Sequence, residues 1–252
     1  MNTDLWVVVP FHNESGWIGG TVAALAAQQD TDFCVVFVDN GSTDASPAEL
    51  RAALALCPEL RATVLDEPEK GVGAAADTGF RLAIATGARW IARTDADCLP
   101  APDWTARVRH AMDARGLELM SGKVRARTDD TGTPLRTRAL AAFTHELIRF
   151  AAPRLRTNEG PGSRFVMTPG GNMAIAAATY LACDGYPRAS FDGESSDKAL
   201  VNRVRQVSAR LGYEPRALVR HSTRRVQHYG LRGTLRWYRD HVVPPRQVID
   251  VR

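Results

Sequence analysis

The chain has 252 residues, of which 44% are apolar, 24% charged and 7% aromatic. That content supports one domain with a buried core and excludes a disordered, collagen-like or disulfide-stapled protein. No basic segment precedes the first apolar run, Leu5 to Val9, and the longest apolar-rich stretch, Met173 to Cys183, is interrupted by Thr179 and far shorter than the ~20 residues a membrane span needs. Neither a secretory signal nor an integral span is expected. The four cysteines, at 34, 57, 98 and 183, form no Cys-x-x-Cys pair and carry no zinc-finger spacing, which fits reduced thiols and a cytoplasmic setting. A net charge of +4 hides an asymmetry, because residues 203–252 hold twelve Arg, no Lys and three acids, a balance of +9. Such a tail suits an anionic partner, and peripheral contact with the inner face of a membrane is one such expectation; a solvated Arg-rich surface is the plainer one. No nucleic-acid partner is expected.

In chain order, short β-rich apolar runs predict strands at 5–9, 33–38, 62–65 and 90–94. Ala-rich segments with helical period predict helices at 16–29, 46–57 and 73–87 between them. Ser42-Thr43-Asp44 and Pro47 introduce the second of these helices. The alternation is that of βα units on a mainly parallel, Rossmann-like sheet. A helix from Asp103, expected as its cap, to Arg115 follows, then a strand near 117–125 and a helix near 136–150. Residues 153–171, rich in Pro and Gly, read as a long loop of the kind that often serves binding. Helices at about 176–183 and 196–211, a strand at 215–220 and a helix near 231–242 complete the map.

Three strand ends carry polar clusters. The first strand runs into Pro10-Phe11-His12-Asn13-Glu14, and the second into Asp39-Asn40-Gly41-Ser42-Thr43-Asp44. The fourth runs through Arg93-Thr94 into Asp95-Ala96-Asp97-Cys98. With eighteen Asp in the chain, about one Asp-x-Asp pair is expected by chance, and Asp30-Thr31-Asp32 is a second instance. Context separates them, since only Asp95 and Asp97 follow the carboxyl end of a strand, where open α/β sheets bind ligands. Two carboxylates there suit a hard divalent cation that also meets substrate phosphates, and such an ion would neutralise a diphosphate leaving group. Asp39 at a strand end faces the same crevice, whereas Asp44, Asn13 and Glu14 also fit as caps of turns and helix starts.

The order of strand, Pro-x-x-Asn-Glu, helix, strand, Asp-Asn-Gly-Ser-Thr-Asp, helix, Gly-rich helix start, strand and Asp-x-Asp resembles the family-two glycosyltransferases of GT-A fold. Lys70 to Gly79 is similar to that family's Gly-x-x-x-Ala-x-Asn-x-Gly segment, and Gly170-Gly171-Asn172-Met173-Ala174-Ile175 to its Gly-Gly-Asn-x-x-Ile stretch. The likeness covers about residues 5–212. It implies a single GT-A domain over 1–252, with a nucleotide-sugar half at 1–115, an acceptor half at 116–230 and a basic C-terminal segment at 231–252. It also implies sugar transfer from a nucleotide diphospho-sugar to a hydroxyl or amine of a glycan, lipid-linked or small-molecule acceptor, by an inverting single displacement. Under the resemblance Pro10, Phe11, Asn13, Glu14 and Asp39 line the donor nucleoside, and Lys70 or Gly71 lies near base or phosphate. Gly171 and Asn172 join the donor site, Asp95 meets ribose and metal, and Asp97 coordinates Mn²⁺ or Mg²⁺, with His221 as a third ligand. Two departures stand out. Ala76-Asp77 replaces the family's Arg-Asn, and the late Glu-Asp pair reads Ser196-Asp197, which makes Asp197 the expected base with Glu194 in reserve.

Other readings compete. Gly71-x-Gly73-x-x-Ala76 matches a dinucleotide fingerprint but lacks a buried strand before it. A nucleotidyltransferase needs a Gly-rich basic loop after the first strand, which residues 10–14 do not supply. A non-catalytic nucleotide-sugar or glycan-binding module also fits the motifs. Trp104 reads as a packing residue or a sugar-stacking one, and Arg224 and Arg225 as phosphate clamps or solvated surface.

Overall fold

A computed structural model of the chain describes residues 3–127, 170–188, 196–222 and 224. Its strands are β1 (Leu5–Phe11), β2 (Phe33–Asp39), β3 (Ala62–Asp66), β4 (Trp90–Arg93), β5 (Cys98–Pro100), β6 (Leu119–Ala126), β7 (Met173–Ala176) and β8 (Leu211–His221). The helices are α1 (Ile18–Ala26), α2 (Ser46–Ala55), α3 (Val72–Ala85), α4 (Trp104–Met112), α5 (Ala177–Ala182) and α6 (Ser196–Val207), with a 3₁₀ turn at Gly170–Asn172. The strands form one sheet in the order β3-β2-β1-β4-β7-β6-β8-β5. Its first four members are mutually parallel, while β7 runs antiparallel to both β4 and β6. This is the mixed, mainly parallel sheet flanked by helices that the sequence predicts.

Every residue of β1 and β2 is buried, because helices cover both faces and the strands therefore read as continuous apolar runs. Leu5, Val7, Val9 and Phe11 enter one core with Ile18, Val22, Leu50, Trp104 and Val108, while Trp6 and Val8 enter the other with Ala75, Phe80, Tyr180 and Leu200. On the second face α3 lies close against the sheet at Gly79, where a Cβ would fall 2.4 Å from Val8 Cγ1.

Several local expectations are corrected. Residues 173–175, which fall between the expected loop and helix without an assignment, form β7 together with Ala176, and the helix expected at about 176–183 runs over Ala177–Ala182. The helix expected at 196–211 stops at Val207, and β8 starts earlier than its predicted 215. Pro215 is tolerated inside β8 because the ladder with β6 breaks there: Glu214 pairs with Gly122, but Leu218 pairs with Lys123. Asp103 precedes α4 without capping it, since its carboxylate instead accepts a hydrogen bond from Arg107 Nε at 2.8 Å. The helices expected near 136–150 and 231–242, most of the 153–171 loop, Glu194 and Arg225 lie outside the described residues.

Candidate active site

Parallel pairing aligns the carboxyl ends of the first strands. Phe11 is in register with Asp39, Asp39 with Asp66, and Val8 with Arg93. At the end of β4 the backbone turns back on itself, with Cys98 N donating to the Asp95 carbonyl at 3.1 Å. Thr21 Oγ lies 2.6 Å from the Ala96 carbonyl and 2.8 Å from that of Cys98, and Arg127 Nη1 donates to the Asp97 carbonyl at 3.1 Å. The turn is thus held from α1 and from the end of β6. Its outgoing arm is β5, whose antiparallel register with β8 sets Cys98 directly opposite His221. Direct cross-strand partners have neighbouring side chains. The Asp95 carboxylate, Cys98 Sγ and a His221 ring nitrogen accordingly lie within 4.8 Å of one another.

Asp97 is buried beside them. Ser222 Oγ donates to its Oδ2, Arg224 Nη2 reaches the same oxygen at 3.1 Å, and His221 Nε2 is 3.6 Å from Oδ1. Burial alone would raise its pKa, but the neighbouring His221 and Arg224 and the Ser222 hydrogen bond outweigh that and hold the carboxyl well below the ordinary range. Glu14 shows the opposite balance. Burial and then the charge of Asp97 push it up to about 8, although Arg224 opposes the shift through an ion pair. Arg224 and Arg127 also each lie 4.9 Å from the ring of Trp17, in the range of a cation–π contact.

Arg93 joins this turn to the expected base. It is buried, and Nη2 donates to Asp95 Oδ1 at 3.0 Å while Nη1 donates to Asp197 Oδ1 at 2.7 Å and Tyr186 Oη at 3.0 Å. Asp197, in the first turn of α6, also accepts the Gly170 amide on Oδ2 at 3.0 Å and lies 3.3 Å from Tyr186 Oη. Gly170 allows this approach, since a Cβ there would sit 2.6 Å from both Arg93 Cζ and Asp197 Oδ2. Gly171 does the same for the turn, its Cβ position lying 3.0 Å from Asp95 Oδ2 and 3.2 Å from Cys98 Sγ. Arg93, Tyr186, Ser222 and Cys98 were not among the expected site residues. An Arg closing an apolar strand was a readable signal for the first; Tyr186 and Ser222 had none.

The remaining expected residues divide by what their atoms touch. Asp39 is buried at the end of β2 and accepts the Ser42 amide on Oδ1 at 2.8 Å. Lys70 is exposed, and Gly71, at φ +131°, donates its amide to Asn40 Oδ1 at 2.8 Å. Pro10 is buried, and the Phe11 side chain belongs to the core, so neither side chain is presented to the crevice. Asn13, at φ 54°, accepts the Thr43 and Asp44 amides on Oδ1 at 2.8 and 3.3 Å and so shapes the turn after β2. Asn172, expected at the donor, has its side chain taken up by the sheet. Its side chain is buried, with Oδ1 accepting from Trp104 Nε1 and Nδ2 donating to the Lys123 and Ala217 carbonyls, each at 2.9 Å. It braces the sheet beneath the site, and Trp104 packs there rather than stacking in the crevice. Asp77 is likewise fully buried, held by Arg81, Arg188 and the Tyr180 hydroxyl at 2.8, 3.0 and 2.8 Å, which accounts for an acid where the resembled family has Asn.

This architecture, with an Asp-x-Asp turn at the carboxyl edge of a mixed sheet, defines the GT-A class of sugar-transferring enzymes. Residues 6–173 match the family described as Glycosyl transferase family 2, and the chain belongs to it. It is 34% identical over 116 residues to the succinoglycan biosynthesis protein ExoO of Rhizobium meliloti (strain 1021), a stretch covering 46% of this chain and 32% of that protein. Among solved structures it is similar to the mannosyltransferase PcManGT from Pyrobaculum calidifontis in complex with GDP-Man and Mn²⁺, with a TM-score of 0.64 and 21% identity over 97% of this chain and 67% of the other. It is also similar to S. aureus TarS 1–349 in complex with UDP-GlcNAc, with a TM-score of 0.62 and 16% identity over 87% of this chain and 58% of the other. The chain thus matches about a third of its curated relative. These structural likenesses establish the fold. The family is one of glycosyl transferases.

Proposed function

We propose that the chain transfers a sugar from a nucleotide diphospho-sugar to an acceptor hydroxyl or amine by a metal-dependent, inverting single displacement. One observation carries the reading: Arg93 links Asp95 on the Asp-x-Asp turn to Asp197, so that a donor-phosphate site and a proton acceptor share one buried network. A carboxylate offers about four acceptor directions. Among the described residues Arg93, Tyr186 and Gly170 occupy three around Asp197, which leaves one on Oδ2 for an incoming acceptor. Asp197 takes the acceptor proton as the acceptor oxygen or nitrogen bonds to the anomeric carbon and the bond to the diphosphate breaks. Residues 1–115 form the donor half, with Asp39 and the 67–71 loop at the nucleoside, and residues 116–230 the acceptor half.

The residues present suit a divalent ion. His221 Nδ1 lies 2.8 Å from the Ser222 carbonyl; an N–H donated there leaves the Nε2 lone pair facing the Asp95 and Asp97 carboxylates. Mn²⁺ or Mg²⁺ held by Asp95, Asp97 and His221 would neutralise charge on the leaving diphosphate. GDP-Man and UDP-GlcNAc, each bound by a structural neighbour, are candidate donors.

The nucleotidyltransferase alternative fares worse. The amides of residues 13–16, which would have to cradle a triphosphate, are already spent on Ser42, Ser46, Asp44 and Glu49. General-base help contributes about 10²–10⁴-fold, so Asp197→Asn is expected to lower turnover by that factor while donor binding, read by thermal shift, persists. Unchanged turnover would remove Asp197 from this role.

No helix among the described residues is long and apolar enough to cross a membrane. The +9 balance of residues 203–252 suits peripheral attachment to an anionic surface from the cytoplasmic side. The chain is expected to bind anionic vesicles at low salt and release them at high salt; no binding at low salt contradicts the attachment.

A further inference from the structure

The Asp-x-Asp turn ends on a cysteine, and that cysteine faces the metal-ligating groups. Cys98 Sγ lies 3.7 Å from Asp97 Oδ1 and shares the 4.8 Å cluster with Asp95 and His221. Three independent features put it there. The β5–β8 register sets Cys98 opposite His221, the backbone turn brings Cys98 back over Asp95, and the missing side chain of Gly171 leaves room for both the thiol and the carboxylate. Cys98 is fully buried and packs in the core with Ala96 and Trp104, so the same packing that seats it holds the thiol beside the carboxylates and the imidazole.

We propose that Cys98 ligates the ion through its thiolate, adding sulfur to the oxygen and nitrogen set of Asp95, Asp97 and His221. This rests on the reading of the turn as the metal site and names the class of ion it prefers. Sulfur disfavours Mg²⁺, whereas imidazole and thiolate together suit Zn²⁺, Co²⁺ and Cd²⁺ and accept Mn²⁺ ahead of Mg²⁺. Cys98 would supply sulfur, His221 nitrogen and the carboxylates oxygen, at bond lengths of about 2.0–2.3 Å, from Asp95, Cys98 and His221 atoms that lie within 4.8 Å of one another. As the metal–sulfur bond forms, the S–H proton passes to the buffer. Ser222 and Arg224 take Asp97 Oδ2, while its Oδ1 lies 3.6 Å from His221 Nε2 and 3.7 Å from Cys98 Sγ.

The test uses the full chain and Co²⁺ alone, then with UDP or GDP added. Binding of one Co²⁺ is expected to bring a near-ultraviolet thiolate-to-cobalt band, which Cys98→Ser loses while Cys34→Ser, Cys57→Ser and Cys183→Ser keep it. X-ray absorption on the unaltered chain loaded with Zn²⁺ is expected to show one sulfur at about 2.3 Å, which protects the test against a Cys98 variant that misfolds. Uptake of Co²⁺ and Zn²⁺ with no thiolate band and no sulfur shell would overturn the Cys98 assignment and leave the glycosyltransferase reading standing. Failure to take up Co²⁺, Zn²⁺ or Mn²⁺ even with nucleotide would overturn this assignment and the metal dependence together.

Discussion

At the scale of single residues, the site is governed by how few charges have room to be charged. Glu14, Asp95 and Asp97 crowd one crevice, and Arg224 is the cation that answers two of them, reaching Glu14 and Asp97 through one Nη2. Glu14 carries the cost, with a pKa near 8 against an ordinary 4.5. Between those values the folded protein keeps a proton that the unfolded chain has lost, so the folded state binds more protons and stability falls as pH rises. At about 1.4 kcal/mol per unit the effect is of order a few kcal/mol. Melting of the chelator-treated protein should therefore show stability declining from about pH 5 to 8, and Glu14→Gln should flatten that decline. Equal slopes for the two proteins would contradict this account of the crevice.

At the scale of elements, the site is assembled where strand ends and connections are tied together by side chains. Arg188, in the connection after α5, spans Glu67, Glu69 and the buried Asp77 at 2.8, 2.8 and 3.0 Å, pinning that connection to the 67–69 loop and to α3. Arg188→Met strands those carboxylates, Asp77 retaining Arg81 and Tyr180 among the described residues. Hydrogen bonds to charged groups contribute about 1.5–3 kcal/mol, so a loss of roughly that size is expected in urea unfolding, and Arg188→Lys should not fully restore it because one ammonium lacks the planar fork. A Met variant as stable as the parent would show the clamp to be idle. This is also the scale at which the sequence was least legible. The strands β1, β2 and β4 announce themselves as apolar runs before polar clusters, so the Asp95 and Asp97 turn could be placed in advance. By contrast β7 is Met-Ala-Ile-Ala flowing into Ala177, a composition that suits a helix as well as a strand. The three-residue β5 contains Pro100, which sits acceptably only because β5 is the last strand of the sheet. Missing β5 meant missing the register that seats Cys98 against His221.

At the scale of the whole molecule, one sheet positions both groups of residues on which the proposed transfer depends. Its parallel part delivers Asp39, Asp95 and Asp97 to a common edge. The antiparallel return through β7 positions the Gly170–Asn172 turn, which touches Asp197 through the Gly170 amide. Asn172 shows how far motif and role can separate: recognisable in the sequence, it holds Trp104, β6 and β8 together from beneath. Asp197 was legible as the second acid of the resembled family's late Glu-Asp pair, but its link to Asp95 through Arg93 depends on distances that no sequence reveals.

The central claim is a donor site in which nucleotide binding depends on a divalent ion held at the Asp-x-Asp turn. Thermal shift with UDP, GDP, TDP, CDP and their common sugar conjugates, each with Mn²⁺ and with chelator, tests it most directly. A ligand at 100 times its Kd stabilises by about 2.7 kcal/mol. The account predicts that one nucleotide class stabilises the chain with Mn²⁺, loses its effect in chelator and loses it again in Asp97→Ala. Stabilisation that persists in chelator, or that Asp97→Ala leaves intact, would contradict it.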